Sequence, residues 1–98
     1  MADRPLDIRR LTVSTAVVTL ATATNPINAA PGIPQGARSC LIKVVGDGVR
    51  FAVGADPTAA NGFPLDVGDR LIDVAPGTDL RFIRSGAADA TLEIIFTV

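Results

Sequence analysis

Glycine or proline recurs every few residues from Pro26 onward, and this spacing constrains the fold more than any other feature of the sequence. Both residues disfavour the interior of a helix, so most of the chain has no room for a helix of ordinary length. The segments between them alternate instead, since the even-numbered residues of 90–98 (ATLEIIFTV) are all apolar. A period of two is typical of a half-buried β-strand, and the sequence therefore predicts an all-β fold.

Two further segments alternate in the same way. In 49–53 we expect Val49, Phe51 and Val53 to face inward, and in 80–84 we expect Leu80 and Phe82 to do so. Both segments are therefore predicted to be strands with one buried face.

Turn signals stand immediately before both of these segments. The Gly-Asp-Gly sequence at 46–48 lies between two apolar runs, and glycine supplies the positive φ of a tight hairpin turn. The Ala-Pro-Gly-Thr sequence at 75–78 suits a type II turn, with proline and glycine at its centre. The sequence therefore predicts two β-hairpins, one at each turn.

The longest stretch without glycine or proline runs from Leu6 to Asn25. A helix is conceivable over 6–11, but β-branched residues crowd 12–24 and favour extended backbone. We expect strands near 7–13 and 15–23. The connection that follows, 24–36 (TNPINAAPGIPQG), has three prolines and two glycines, which exclude a central strand. It is long enough to cross between sheets or to reach a neighbouring subunit.

Seven or eight short strands at this spacing predict an antiparallel β-sandwich or barrel, and we favour a jelly-roll-like sandwich. A chain of 98 residues suffices for one domain that buries about two-thirds of its unfolded surface. We expect a single domain over 1–98, with 1–6 as a possible N-terminal arm.

The composition is unusually apolar for a small β-domain, at 48% hydrophobic residues and a mean hydropathy of +0.39. No apolar run approaches the ~20 residues of a membrane helix, so we expect no membrane partner. The excess apolar surface favours a homo-oligomer, a dimer or trimer. Lys43 is the only lysine and Glu93 the only glutamate, a bias that is typical of interface cores and also of GC-rich genomes.

Residues that carry chemistry are scarce. The chain has no histidine, which excludes Ser-His and Cys-His nucleophile pairs and imidazole metal sites. Cys40 stands alone, so it forms no disulfide within the chain, and we interpret it as a small buried hydrophobe rather than a reactive thiol. A net charge of −1 argues against nucleic acid. We therefore predict no enzymatic activity, no cofactor and no metal.

Two groups of charged residues leave a choice of interpretation. Asp56, Asp66, Asp69 and Asp73 lie within eighteen residues, and we interpret them as turn-forming side chains rather than Ca²⁺ ligands. The arginines at 81 and 84 bracket an apolar pair, and a salt-bridged strand edge is favoured over a basic patch.

One segment imitates an export signal. Two arginines at 9 and 10 precede LTVSTAVVTLATA, which ends in Ala-x-Ala. Acidic residues at 3 and 7 and several hydroxyl residues dilute the pattern, so we interpret the segment as part of the fold.

The second half of the chain resembles small virion proteins of tailed bacteriophages. In that pattern an Arg-aromatic strand leads to an Asp/Ala-Pro-Thr-Ala loop, a Gly-acid turn, a Phe-Ile-Arg strand and an alternating C-terminal strand. The match covers about half the chain and contains no catalytic signature. The matching positions are Arg50, Phe51, 56–59, Gly62, Leu65, Gly68, Asp69, 82–84 and 92–96.

The resemblance implies a structural protein of the virion, assembled in the host cytoplasm. Several proteins of this kind decorate the capsid as cement proteins, and that is the role we favour. Its implied partners are the major capsid protein or other virion proteins. The alternative is a tail- or fibre-associated receptor- or carbohydrate-binding module. A module of that kind would favour exposed aromatic residues, and the chain has no tryptophan or tyrosine. A cupin-like enzyme is a third possibility, against which the lack of histidine argues.

Two regions are candidates for contact with such partners, because neither suits a compact core. An extended arm can add a strand to the exposed edge of another sheet. Packing within the same subunit is the alternative for both. The candidate residues are Arg4, Pro5 and Leu6 in the arm and Pro26, Ile27, Pro31, Ile33 and Pro34 in the connection.

Overall fold

The computed structural model describes residues 5–74 and 77–98, and within them the regular structure is eight β-strands and one short 3₁₀ turn. No helix in these residues has the length and apolar character needed to span a bilayer. The strands are β1 (Pro5–Val13), β2 (Val18–Thr19), β3 (Ser39–Val45), β4 (Val49–Val53), β5 (Phe63–Leu65), β6 (Gly68–Asp73), β7 (Leu80–Arg84) and β8 (Ala90–Thr97), and the 3₁₀ turn is Leu20–Thr22.

The strands form two four-stranded antiparallel sheets that pack against each other. The order is β1-β8-β3-β6 in the first, called sheet A, and β2-β7-β4-β5 in the second, called sheet B. Consecutive strands alternate between the sheets except β4 and β5, which form a hairpin within sheet B. This strand order is that of the jelly roll, and the predicted antiparallel β-sandwich is confirmed.

The core lies between the two inward faces. The even-numbered side chains of β8 from Ala90 to Phe96 are buried, as their alternation predicted, and so are Leu80 and Phe82 on β7. Cys40 on β3 is fully buried among them, which confirms its interpretation as a small hydrophobe.

One side chain of β4 does not face the core as expected. Val49 is buried and Phe51 packs partly against the core, but Val53 is 67% exposed. Val53 is the last residue of β4 and lies beyond the part of this strand that β5 pairs, which ends at Phe51 opposite Phe63.

The hairpin expected at 46–48 is not formed. Gly46 has the positive φ that was anticipated, +98°, but β3 lies in sheet A and β4 in sheet B. The connection therefore crosses between sheets. Asp47 stabilises the crossing by accepting hydrogen bonds from the backbone N–H of Gly48 at 2.8 Å and of Ala88 at 3.3 Å.

The second expected hairpin is wrong for the same reason. β6 belongs to sheet A and β7 to sheet B, so the intervening turn also crosses the sandwich. Of that turn, residues 75 and 76 lie outside the described residues. A turn motif reports where the chain bends, whereas the sheet that the next strand joins depends on long-range packing.

The strand expected over 15–23 is reduced to two residues. The Thr22 hydroxyl donates to the Thr19 carbonyl oxygen at 2.7 Å, and the Ala23 N–H donates to the Leu20 carbonyl oxygen at 3.1 Å, closing the 3₁₀ turn. Threonine side chains compete in this way with strand pairing. By contrast, residues 6–11 are extended within β1, as predicted, and do not form a helix.

Candidate binding surfaces

The four aspartates between 56 and 73 do not come together as one group. Asp56 lies in the β4–β5 loop and pairs with Arg81 at 2.7 Å, whereas Asp69 and Asp73 lie within β6. Their interpretation as turn residues is therefore wrong for these two, because β6 begins at Gly68. In 5–74 and 77–98, no three His, Cys, Asp or Glu side chains are grouped as metal ligands would be.

The arginines on β7 are engaged in ion pairs, which confirms the expected salt bridges, but β7 lies between β2 and β4 and is not an edge strand. Arg81 binds Asp79 through two hydrogen bonds of 3.1 and 2.9 Å, and Arg84 binds Asp89 at 2.8 Å. Hydrogen bonds from Arg81 hold the pKa of Asp79 below its ordinary value. The carboxylates of Asp79 and Asp56 in turn raise the pKa of Arg81. These two arginines therefore contribute little free positive charge to the surface of sheet B.

Cys40 lacks the environment of a reactive thiol. Burial raises its pKa to about 12, so the thiolate that attacks electrophiles is not formed at neutral pH.

The residues predicted for partner contact fall in three positions. Arg4 lies outside the described residues, while Pro5 and Leu6 begin β1, where Pro5 is opposite Thr97 of β8. Ile33 and Pro34 are half-buried, and Ile33 packs against the core. Pro26, Ile27 and Pro31 are exposed.

The connection 24–36 folds onto the edge of β1 in its own subunit. Thr24 and Arg10 exchange backbone hydrogen bonds of 2.7 and 3.1 Å, which continue the sheet outward by one residue. The buried Asn25 side chain accepts from the N–H groups of Ile27 at 2.8 Å and Asn28 at 3.2 Å. These bonds fix the backbone on which Ile27 stands, with 85% of its surface exposed.

A polar cluster of Asp7, Arg9 and Asn25 joins this connection to β1. Asn25 donates from Nδ2 to the Asp7 carboxylate at 2.8 Å, and Arg9 pairs with the same carboxylate at 2.9 Å. The Arg9 guanidinium also donates to the carbonyl oxygens of Ile8 and Gly32, both at 2.8 Å. Arg9, only 4% exposed, therefore joins β1 to the far end of the connection.

Sequence reasoning missed the outer face of sheet A. Outward side chains of a solvated antiparallel sheet are usually polar, yet one row that crosses all four strands is aliphatic. Its members are opposite one another in register and are between 36% and 59% exposed. Three of them, Ile8, Ile95 and Leu41, also line a shallow depression of about 340 Å³. This apolar row consists of Ile8, Ile95, Leu41 and Leu71.

The next row along the strands is fully charged, with alternating sign. Arg10 faces Glu93 across the β1–β8 pair, and the Arg10 Nε lies 2.7 Å from the Glu93 Oε1. Lys43 is opposite Glu93 on one side and Asp69 on the other. The charge row, Arg10, Glu93, Lys43 and Asp69, therefore reads plus, minus, plus, minus across sheet A. Alternation along a strand shows which residues point outward, but only the register of four strands shows that they form rows.

Comparison of the chain with protein-family models, with curated proteins and with solved structures finds no match. Function is therefore inferred from the geometry of these surfaces.

Proposed function

We propose that the protein is a non-enzymatic structural protein of a virion, a decoration protein that adheres to the head of a tailed bacteriophage. The observation that carries the proposal is Ile27, an aliphatic side chain held almost fully in solvent on a loop fixed by hydrogen bonds. Such a side chain contributes little to the stability of its own subunit. It is suited to insertion into an apolar recess on another protein.

The energetics favour adhesion by many weak contacts. Full burial of an isoleucine side chain stabilises a contact by about 1.5–3 kcal/mol. Because Asn25 already fixes the loop, little further conformational entropy is lost when the loop docks. Copies on one shell act together, so that modest individual affinity is sufficient.

The fold is compatible with this role and does not by itself define it. Jelly rolls recur in viral capsid proteins, and also in lectins and cupins. The resemblance of the second half of the chain to small phage virion proteins is what favours the first of these classes.

The test mixes the purified protein with empty heads of the phage that encodes it and images them by cryo-electron microscopy. We expect ordered density at the junctions between capsomers. Ile27→Asp should lower occupancy at least tenfold, because a carboxylate cannot enter an apolar recess without losing its hydration. Val53→Asp is the matched control, since Val53 is also exposed but lies on sheet B, and it should label heads like the natural protein.

Three outcomes would contradict the proposal. Density confined to the tail would favour the receptor- or carbohydrate-binding alternative. Absence of association at saturating protein would exclude head decoration. Equal occupancy for the Ile27 and Val53 variants would show that the 24–36 connection is not the contact.

A further inference from the structure

We infer that the outer face of sheet A binds a second copy of the same chain, across a twofold axis that runs parallel to the strands between β8 and β3. This inference rests on the proposed function only for the idea that several copies act together. The dimer itself is tested without a phage head.

The apolar row supplies the hydrophobic contact. The twofold axis places β1 over β6 of the partner subunit and β8 over β3 of the partner subunit. Ile8 then meets Leu71 of the partner subunit, and Ile95 meets Leu41 of the partner subunit. Each of these side chains is more than one-third exposed in the single chain, so pairing removes apolar surface that folding leaves in water.

The charge row identifies the occupant as another copy. Reversal of the order plus, minus, plus, minus gives minus, plus, minus, plus, so that opposite charges meet at all four positions. Arg10 faces Asp69 of the partner subunit, and Glu93 faces Lys43 of the partner subunit. Within the described residues of one chain, Arg10 and Glu93 pair with each other, whereas Lys43 and Asp69 form no ion pair. The second copy therefore supplies an ion-pair partner to Lys43 and to Asp69.

Other twofold arrangements of this face are less favourable. An axis along the charge row would place each charge on its own copy, Arg10 on Arg10 for example. An axis along the apolar row would press the charge row against the hydroxyl-bearing row that contains Ser39 and Thr97. Charges buried without counter-charges are costly, so the axis parallel to the strands is preferred.

The available area is enough for a specific, reversible dimer. Four strands about 4.8 Å apart, each about seven residues long at about 3.3 Å per residue, make a face of roughly 20 by 25 Å. Two such faces bury about 1,000 Å², the lower limit for a specific interface, so we expect dissociation in the micromolar range.

The test uses two single charge reversals, Lys43→Glu and Glu93→Lys. In a homodimer of either variant, like charges meet at the two central positions, which should weaken self-association about a hundredfold. In a one-to-one mixture, all four positions become opposite in sign again. We therefore expect each variant alone to sediment as a monomer and the mixture to sediment as a dimer, in analytical ultracentrifugation across the micromolar range.

Two controls keep the result interpretable. Far-ultraviolet circular dichroism and thermal unfolding show that each variant is folded. Val53→Glu introduces a negative charge on sheet B and should leave the dimer unchanged.

A natural protein that stays monomeric at high micromolar concentration would overturn the inference, as would a mixture of the two variants that fails to associate. These outcomes are distinct from failure of the proposed function. A monomer that still binds heads would support head decoration and contradict the dimer. A dimer that does not bind heads would support the dimer and contradict head decoration.

Discussion

The buried guanidinium of Arg9 donates a hydrogen bond of 2.8 Å from Nε to the carbonyl oxygen of Gly32, 23 positions further along the chain. The same group pairs with Asp7, whose carboxylate also accepts from Asn25. One charged side chain on β1 therefore contacts the 24–36 connection directly at Gly32 and, through Asp7, at Asn25. The exposure of Ile27 depends on this cluster.

Loss of the Arg9 charge is expected to loosen the connection. Arg9→Met leaves the Gly32 carbonyl oxygen and the Asp7 carboxylate without this donor, and should lower the free energy of unfolding by about 1–3 kcal/mol. The measurement is urea unfolding together with limited proteolysis, in which new cleavage should fall within 24–36. Arg38→Met, at an exposed position, is the control and should unfold like the natural protein. Unchanged stability and cleavage in Arg9→Met would contradict the assignment.

The same cluster predicts a specific dependence on pH. The hydrogen bond from Arg9 first, then those from the Ile8 N–H and from Asn25, hold the pKa of Asp7 below its ordinary value of 3.8. A carboxyl with a depressed folded-state pKa adds stability above its unfolded pKa and loses it as the pH falls through the folded value. Asp7→Asn should therefore be less stable than the natural protein near neutral pH, and the difference should disappear as the pH falls through the lowered folded-state pKa of Asp7.

The comparison isolates one carboxyl, because Asp47 and Asp79 also have lowered pKa values and titrate in both proteins. Unfolding free energies measured by urea at a series of pH values provide the test. A constant difference between the two proteins across the acid range would show that ionisation of Asp7 does not stabilise the fold.

The thiol of Cys40 should be unreactive until the protein unfolds. Its side chain is fully buried and its pKa is raised to about 12, so a thiol reagent at neutral pH meets neither an accessible sulfur nor a thiolate. We expect negligible labelling by Ellman's reagent in native buffer and rapid labelling in urea. Native labelling at the rate of a free thiol would mean that β3 is exposed in solution.

Two glycines with positive φ distinguish backbone strain from steric contact. Gly46 has φ +98°, and a Cβ there would lie 3.1 Å from the Asp89 carbonyl oxygen, whereas Gly54 has φ +72° and open space around it. Alanine at either site costs about 1–2 kcal/mol for the left-handed backbone. Gly46→Ala should cost more, because the β7–β8 connection must also shift. Equal losses of unfolding free energy in urea would show that the 46–48 connection shifts to accommodate the Cβ at no measurable cost.

Much of the fold was accessible from local pattern. Period-two alternation located β7 and β8 and assigned their faces, since the more continuously apolar side of each strand faces the core. Local pattern could not assign strands to sheets, and the crossing at 46–48 was therefore mistaken for a hairpin. Hydroxyl competition was also missed, so the 3₁₀ turn at Leu20–Thr22 was predicted to be a strand.

The candidate surfaces were less accessible. Proline and polar composition indicated the 24–36 connection, but composition could not show that Ile33 packs inward while Ile27 points outward. The apolar and charge rows join β1, β3, β6 and β8, which are far apart in the chain. Their alignment depends on register, which one sequence does not encode in any single segment.

The position of β8 has a consequence for biosynthesis. This strand, the eighth along the chain, lies between β1 and β3 and hydrogen-bonds to both, so sheet A has a gap until the ribosome has delivered residues 90–97. A nascent chain that stops before them cannot pair the hydrogen-bonding edge of β1 with its native neighbour. Closure of the sandwich is thus deferred until β8 has left the exit tunnel, and any arrest of translation upstream of it should yield a chain that proteases and chaperones recognise as unfinished.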